Sequence, residues 1–149
     1  MTLEVRDPDF ERRVRESFGR QDFMALLGAS LARVAAGEID IDLPFSDQLT
    51  QQHGFIHAGA VASILDSACG YAASTLMEAD AAVLSVEFTV NLLEPAVGDR
   101  LVARGRVVRS GRTVTVCCAD ATAHGADGET LVAIMTATIM TVRGRAISA

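Results

Sequence analysis

Few folds can accommodate the second half of this chain, which consists of four strand-like runs in a row. The runs 83–93, 100–109, 113–122 and 130–142 are rich in Val, Thr and Leu, which favour strands. Turn residues separate them at 95–98, 110–111 and 125–128. Because a parallel crossover needs on the order of a dozen connecting residues, we expect successive strands joined by such short turns to pair antiparallel.

The first half contributes helices and one further strand. Residues 8–29 carry apolar side chains at helical spacing, so residues 1–30 are predicted to form a helical segment that packs on the rest. Residues 37–43 alternate as a half-buried strand, 48–59 are predicted to form a loop, and 59–77 a long helix. The prediction is one α+β domain over residues 1–149, in which the long helix covers one face of an antiparallel sheet.

Composition excludes several classes of function. The net charge of −6 and the pI near 4.9 argue against a nucleic-acid partner, which requires a basic surface. No apolar run reaches the roughly 18–20 residues that span a bilayer, and the first residues do not resemble a secretory signal, so a cytoplasmic protein with no membrane partner is expected. The three cysteines lack the spacing of a disulfide or zinc framework, and no metal is expected.

The long helix is unusual because Asp66 is the only formal charge between residues 48 and 77. A helix without a charged face is expected to be enclosed on both sides. Burying an unpaired carboxylate costs several kcal/mol, so Asp66 is either a structural residue bonded to amides or a serine, or a functional group in a pocket. At 4-3-4-3 spacing it shares one helix face with four small residues, namely Gly59, Ser63, Gly70 and Ala73.

His57 lies directly before this helix and is either a helix cap or a functional residue. The N–H groups of Ala58 and Gly59 would form the free first turn, which can hold a developing oxyanion. Ala58 and Asp66 are eight residues apart, which is about 12 Å along a helix. A base and an oxyanion hole must both lie about 3 Å from one reacting group. If both act in catalysis, two copies of the helix must run antiparallel, which predicts at least a homodimer with paired sites.

The segment 51–59, followed by Asp66, resembles the signature of the hotdog-fold acyl-CoA thioesterases, and most closely their phenylacetate-pathway (PaaI-type) branch. Four residues match its spacing, namely Gly54, His57, Gly59 and Asp66. The resemblance covers residues 17–142, including 85–95, 98–99 and 111–113. Gln51 replaces the usual Asn of the family, and Ala58 replaces the first glycine after the histidine.

The resemblance implies a hotdog fold, in which a five- or six-stranded antiparallel sheet wraps around one long central helix, in dimers often paired into tetramers. It implies hydrolysis of an aryl- or medium-chain acyl-CoA, with no cofactor apart from the coenzyme A of the substrate. Asp66 would act as general base or nucleophile, and the amides of Ala58 and Gly59 from the partner subunit as oxyanion hole. His57 and Gln51 would orient the thioester or the water, and Ser85 would steady the water or the carboxylate.

Further residues are expected to bind the substrate. Gln52, His53, Gly54 and Asn91 belong to the matching segments, and Gln52 or His53 could take over the hydrogen bond of the family's Asn. Arg109, Gly111 and Arg112 at a predicted hairpin tip could bind the phosphates of coenzyme A. Two alternatives remain open: a hotdog hydratase or dehydratase acting on acyl thioesters, and a non-catalytic acyl-CoA-binding or sensing protein.

Overall fold

The computed structural model describes residues 3–144, which form three α-helices, a short 3₁₀ helix and six strands. The elements before the long helix are α1 (Phe10–Gly19), α2 (Asp22–Leu27), β1 (Ser30–Ala35), β2 (Glu38–Pro44) and the 3₁₀ helix (Asp47–Leu49). The rest are α3 (Ala58–Ser74), β3 (Ala82–Leu92), β4 (Arg100–Ser110), β5 (Val114–Gly125) and β6 (Gly128–Val142).

The six strands form one antiparallel sheet in the order β1-β2-β4-β5-β6-β3, and α3 lies across its inner face. This is the predicted α+β architecture, in its six-stranded form. Its core lies between helix and sheet, where an apolar helix meets the inward side chains of every second strand position. Among the fully buried side chains are Ile39, Ile41, Leu43, Ile64, Leu65, Leu101, Met135 and Ile139.

Two details of the strand prediction were wrong. β1 was not predicted, because its six residues show no clear alternation of buried and exposed positions. The expectation that successive strands pair holds for β4–β5 and β5–β6, but β3 does not pair with β4. Instead β3 pairs with β6 and forms an edge of the sheet, so the turn at 95–98 carries the chain across the sheet.

A bulge in β3 decides which of its side chains face the helix. Ser85 pairs with Ile139 and Glu87 with Thr138, so the residue between them, Val86, has no partner in the ladder. Such an extra residue reverses the alternation of faces. Ser85 therefore lies on the helix side, whereas Asn91, which a regular strand would place on the same side, lies on the outer face near Arg106.

The N-terminal helices are attached to the C-terminal end of α3. Val14 and Phe18 of α1 are buried in the core. The Arg13 guanidinium donates to Asp7 Oδ2 at 2.7 Å, to Ser74 Oγ at 3.1 Å, and to the backbone carbonyls of Ser74 and Met77 at 3.0 and 3.2 Å. One arginine thus satisfies carbonyls that the helix end leaves free. In the described part of the chain, no helix combines the length and apolarity needed to cross a bilayer.

Candidate active site

Asp66 lies in the middle of α3, half-buried rather than enclosed, and points towards β3. Ser85 Oγ donates a hydrogen bond of 2.6 Å to its Oδ1. Both side chains line a cleft of about 650 Å³ between α3, β3 and the end of α1. The carboxylate thus has one internal hydrogen bond and an open volume beside it, which leaves its second oxygen available for chemistry.

The same cleft is also lined by residues that were not singled out in the sequence. Tyr71 Oη lies 3.3 Å from Ser17 Oγ, and Gln21 lines the same cleft. Burial raises the pKa of Tyr71, so its hydroxyl stays protonated at neutral pH. One signal was available: Tyr71 is the chain's single tyrosine, and it lies five residues after the lone charge of an apolar helix.

The start of α3 is capped by His57. Its Nδ1 accepts the Gly59 N–H at 2.8 Å, so this side chain caps the helix. Of the two amides expected to hold an oxyanion, that of Gly59 is already used, and the Ala58 N–H donates to no acceptor among residues 3–144. Ala58 lines a second cavity of about 420 Å³, together with Gln51, His57 and Leu92.

Gln51 closes a tight turn before the helix. Its backbone N–H donates to the Phe55 carbonyl at 2.8 Å, and its side-chain Oε1 accepts the His53 N–H. Gly54 adopts φ +85°, a conformation that favours glycine. Of this turn, Gln51 and Phe55 line the second cavity, whereas Gln52, His53 and Gly54 are exposed and do not.

The predicted site residues therefore fall into two groups within one chain. Asp66 and Ser85 line the larger cleft, and Gln51, His57 and Ala58 line the smaller cavity. Eight helix residues, or about 12 Å along the axis, separate Ala58 from Asp66. One reacting group cannot contact both in the same chain.

Asn91 and the β4–β5 hairpin lie outside both groups. Asn91 is on the outer face of the sheet because the bulge at Val86 reverses the alternation of faces along β3. At the hairpin, the Gly111 N–H donates to the Val114 carbonyl, and Arg143 donates to the Arg112 carbonyl at 2.6 Å. Arg109 and Arg112 are exposed and form no ion pair within the described ranges.

Other reactive side chains are held in unreactive forms. Burial raises the pKa of the Cys117 thiol to about 12 and that of Cys69 still further, so neither forms a thiolate nucleophile at neutral pH. No cluster of three or more His, Cys, Asp or Glu side chains between residues 3 and 144 could hold a metal ion. The carboxylate of Asp66 is thus the reactive group that the larger cleft presents.

A six-stranded antiparallel sheet wrapped around a single long helix is the hotdog fold. Residues 53–129 match the family model of the Thioesterase superfamily, and this span covers more than half of the chain. The chain belongs to that superfamily. The match includes His57, Ala58, Asp66 and Ser85, which line the two cavities.

Solved structures agree with this assignment. A thioesterase family protein from Silicibacter pomeroyi is 51% identical, with a TM-score of 0.89, over 91% of this chain and 99% of that protein. A Ralstonia eutropha protein has a provisional thioesterase title and is described as phenylacetic acid degradation-related. It is 26% identical, with a TM-score of 0.77, and the match covers 88% of this chain and 98% of that protein. The E. coli PaaI protein has a TM-score of 0.81 at 19% identity, over 96% and 98% of the two chains, and shows the fold alone.

A curated relative matches part of the chain. A Halobacterium salinarum protein with a provisional esterase name is 34% identical to this chain in the matched region. The match covers 62% of this chain and 64% of the length of that relative.

Proposed function

We propose that the protein hydrolyses the thioester of an aryl- or medium-chain acyl-CoA, giving the free acid and coenzyme A. The observation that carries the proposal is the pair of Asp66 and Ser85 at one end of a cleft of about 650 Å³. A carboxylate with one oxygen held by a hydroxyl and the other free is suited to activate water. Membership of the Thioesterase superfamily supports the choice of a thioester as the bond that is cleaved.

In the proposed reaction, the free oxygen of Asp66 takes a proton from water as the water oxygen attacks the thioester carbonyl carbon. The carbonyl oxygen becomes an oxyanion, which the Ala58 N–H of a partner subunit stabilises at the positive end of its helix. The oxyanion then collapses and expels the coenzyme A thiolate, which is a good leaving group, and the proton held by Asp66 passes to the thiolate. Ser85 keeps the carboxylate oriented, and His57 and Gln51 of the partner line the space around the thioester.

A nucleophilic role of Asp66, with an anhydride intermediate, is the alternative within the same proposal. The anhydride route would need a base other than Asp66 to activate water for its hydrolysis, and the partner's His57 is the residue that this site offers for that role. A single turnover in ¹⁸O-labelled water tests for the anhydride, because only the anhydride route, through attack of water on the Asp66 carbonyl carbon, places the label in Asp66.

We infer that the active unit is a homodimer, which can pair further into tetramers. The separation of about 12 Å between Ala58 and Asp66 requires a second helix to complete each site. β3 is a sheet edge of eleven residues whose exposed side chains include Leu84, Val86 and Phe88. An exposed apolar edge strand favours pairing with another chain, and pairing with its own copy would bring two α3 helices together antiparallel.

Arg109 and Arg112 at the β4–β5 hairpin are proposed to bind the phosphates of coenzyme A, next to Gly111. Both are exposed and without an ion-pair partner among the described residues, so their guanidinium groups are available to a phosphate. Arg112→Ala should raise KM for acyl-CoA but leave hydrolysis of the matching acyl-pantetheine, which lacks the nucleotide phosphates, at the wild-type level. An equal effect on both substrates would contradict this role.

The proposal is tested by measuring release of free thiol from a panel of acyl-CoA thioesters. Asp66→Asn should lower kcat by about 10²–10⁴-fold, the usual contribution of a general base, with the dimer and ligand binding retained. Asp127→Asn, the same change at an exposed turn residue, is the matched control and should keep wild-type kcat. Unchanged turnover in Asp66→Asn would overturn the assigned role, and tight binding without thiol release by the wild type would favour a sensing protein.

A further inference from the structure

The imidazole ring of His57 is held in one orientation by the first turn of α3. Its Nδ1 accepts the Gly59 N–H at 2.8 Å, which makes His57 the N-cap of the helix. The ring also packs directly on Gly59, because a Cβ built there would lie 3.0 Å from Nδ1 and 3.4 Å from Cε1 of the ring. The hydrogen bond and this packing fix the ring, although the side chain is exposed in the described chain.

The cap bond determines which ring nitrogen of His57 carries the proton. A neutral imidazole has one N–H group, which donates, and one unprotonated nitrogen, which accepts. Because Nδ1 accepts the Gly59 N–H, the proton of the neutral ring lies on Nε2. Moving the proton to Nδ1 would set two N–H groups against each other across 2.8 Å. His57 therefore presents a hydrogen-bond donor, and not a free lone pair, on the far side of its ring.

The cavity of about 420 Å³ is lined by two further donors. The Ala58 N–H donates to no acceptor in the described chain. Gln51 Oε1 already accepts the His53 N–H, so the amide NH₂ is the part of the Gln51 side chain that remains available. Glu94 lines the cavity as well, but it is exposed. The adjoining residues Gln51, His57 and Ala58 thus present N–H groups, and the side-chain acceptors among them are used within the chain.

A set of N–H donors fits a group that accepts hydrogen bonds and gains negative charge during the reaction. The carbonyl oxygen of a thioester is such a group when it becomes an oxyanion. One of the two amides expected to hold it, that of Gly59, is used by the cap. We propose that the Nε2–H of the partner's His57 takes the place of that amide and is the second oxyanion donor, beside the partner's Ala58 N–H. The inference rests on the proposed thioesterase function and assigns a catalytic role within the same site.

The tautomer of His57 also bears on the route of hydrolysis. A base needs an unprotonated nitrogen that faces the water, and in the capped ring the nitrogen away from the helix holds a proton. As a donor, His57 acts when the water oxygen bonds to the carbonyl carbon and the water proton passes to Asp66. The electron pair of the C=O double bond then moves to the oxygen held by the two N–H groups. The proton of His57 stays on Nε2 throughout.

The first test separates the donor from the helix cap. Asn and Ser are good N-cap residues, so His57→Asn and His57→Ser should keep the Tm of the wild type. Both side chains end short of the position of Nε2, so kcat for acyl-CoA should fall about 10²-fold, as on loss of one oxyanion donor, with KM little changed. His57→Ala should lower both kcat and Tm. Wild-type kcat in His57→Asn and His57→Ser would show that capping is the whole role of His57 and would overturn the proposal.

His124→Asn is the matched control for these variants. His124 lies at the end of β5 and lines neither cavity, so the same substitution should keep the wild-type kcat. A loss of kcat equal to that of His57→Asn would mean that the effect does not come from the site and would contradict the assignment.

The tautomer can be observed directly in the wild type by NMR. In ¹⁵N-labelled protein, the chemical shifts of protonated and unprotonated ring nitrogens differ clearly, and couplings to the ring protons assign each nitrogen. At mildly alkaline pH we expect an unprotonated Nδ1 and a protonated Nε2 in His57, whose signals are those missing from His57→Asn. A ring protonated on Nδ1 alone would overturn the proposal, even if the variants fail to fold.

A rapid-quench measurement separates a donor from a base and from failure of the function itself. If His57 were the base that hydrolyses an Asp66 anhydride, His57→Asn would accumulate an acyl group on Asp66, seen in the intact mass of the quenched protein. Loss of a donor slows the first addition, so we expect no adduct. An accumulating adduct would overturn the donor role and leave the thioesterase function standing. No thiol release by the wild type from any acyl-CoA of the panel would overturn that function.

Discussion

Gly105 of β4 lies directly against the backbone of Ala68 in α3. A Cβ built on Gly105 would come within 2.5 Å of both the carbonyl carbon and the carbonyl oxygen of Ala68. Helix α3 and strand β4 therefore approach more closely here than a residue with a Cβ at position 105 would allow. The position of α3 in the sheet, and with it the position of Asp66, depends on this glycine.

Gly105→Ala is expected to destabilise the protein by about 1–3 kcal/mol, the usual cost of overpacking a core, even though alanine is ordinarily preferred over glycine in a strand. Denaturant unfolding measures the change. Gly19→Ala at the end of α1 is the matched control: a Cβ there meets nothing within 4 Å, so the same substitution should leave stability equal or slightly higher. A neutral Gly105→Ala would contradict the close contact.

The hydrogen bond between Ser85 and Asp66 predicts coupled effects on turnover. Ser85→Ala should lower kcat about tenfold, since it removes a hydrogen bond to a charged group. In the Asp66→Asn background the same change should have almost no further effect, because the carboxylate that Ser85 orients is gone. Ser30→Ala, at an exposed strand residue, serves as control. Independent effects of Ser85 and Asp66 would argue against a joint role.

Sharing of the site between subunits can be tested by mixing two inactive variants. Ala58 is the first residue of α3, where proline is tolerated, and the residue before it, His57, already has φ −61° and ψ 139°. Ala58→Pro therefore removes the N–H proposed to hold the oxyanion and keeps the helix. Alone, Ala58→Pro and Asp66→Asn should each be inactive.

Mixed after unfolding and refolding together, these two variants should recover about a quarter of wild-type activity. Half of randomly formed dimers contain one copy of each variant, and one of the two sites in such a dimer has both Ala58 and Asp66 intact. Recovery is measured as thiol release against each variant refolded alone. Absence of any recovery, with mixed dimers demonstrated by mass spectrometry, would place both groups in one subunit.

The ion pair of Asp7 and Arg13 predicts how stability depends on pH. The hydrogen bond from Arg13, together with that from the Asp9 amide, lowers the pKa of Asp7 below its usual value. Because the pKa of Asp7 is lower in the folded state, its ionised carboxylate stabilises the fold at pH values above the unfolded-state pKa of about 4. This stabilisation is lost as the pH falls through the lower pKa of the folded state. Asp7→Asn should lower Tm at neutral pH and match the wild type at about pH 2. A Tm difference that persists in acid would mean that the charge is not what stabilises.

Much of the fold could be predicted from the sequence because it follows from local patterns. The apolar run in which Asp66 is the only charge defines α3, and the Val/Thr-rich runs define four of the strands, within a few residues. The partner of β3 could not be predicted in this way, since pairing with β6 depends on the whole sheet rather than on the length of a turn. β1 has too irregular a pattern of exposure to stand out.

The site was predictable where it depends on sequence spacing and not where it depends on geometry. The proximity of Ser85 to Asp66 followed a family pattern, but the bulge that moves Asn91 to the outer face is a single unpaired residue without a sequence signature. The hydrogen bond from the Gly59 N–H to His57 depends on the side-chain conformation of His57, which sequence spacing does not determine. The hydroxyls of Ser17 and Tyr71 meet in the larger cleft, although they belong to two helices that are distant in sequence.

The apolar edge strand has a consequence for how the protein should behave in solution. β3 contains one charged residue, Glu87, and that side chain already accepts hydrogen bonds from Thr89 and Thr138. Association through such an edge depends on water leaving apolar surface and hardly on charge, so ionic strength should scarcely weaken it. Dilution should, because in the proposed dimer a single subunit holds halves of two different sites and completes neither.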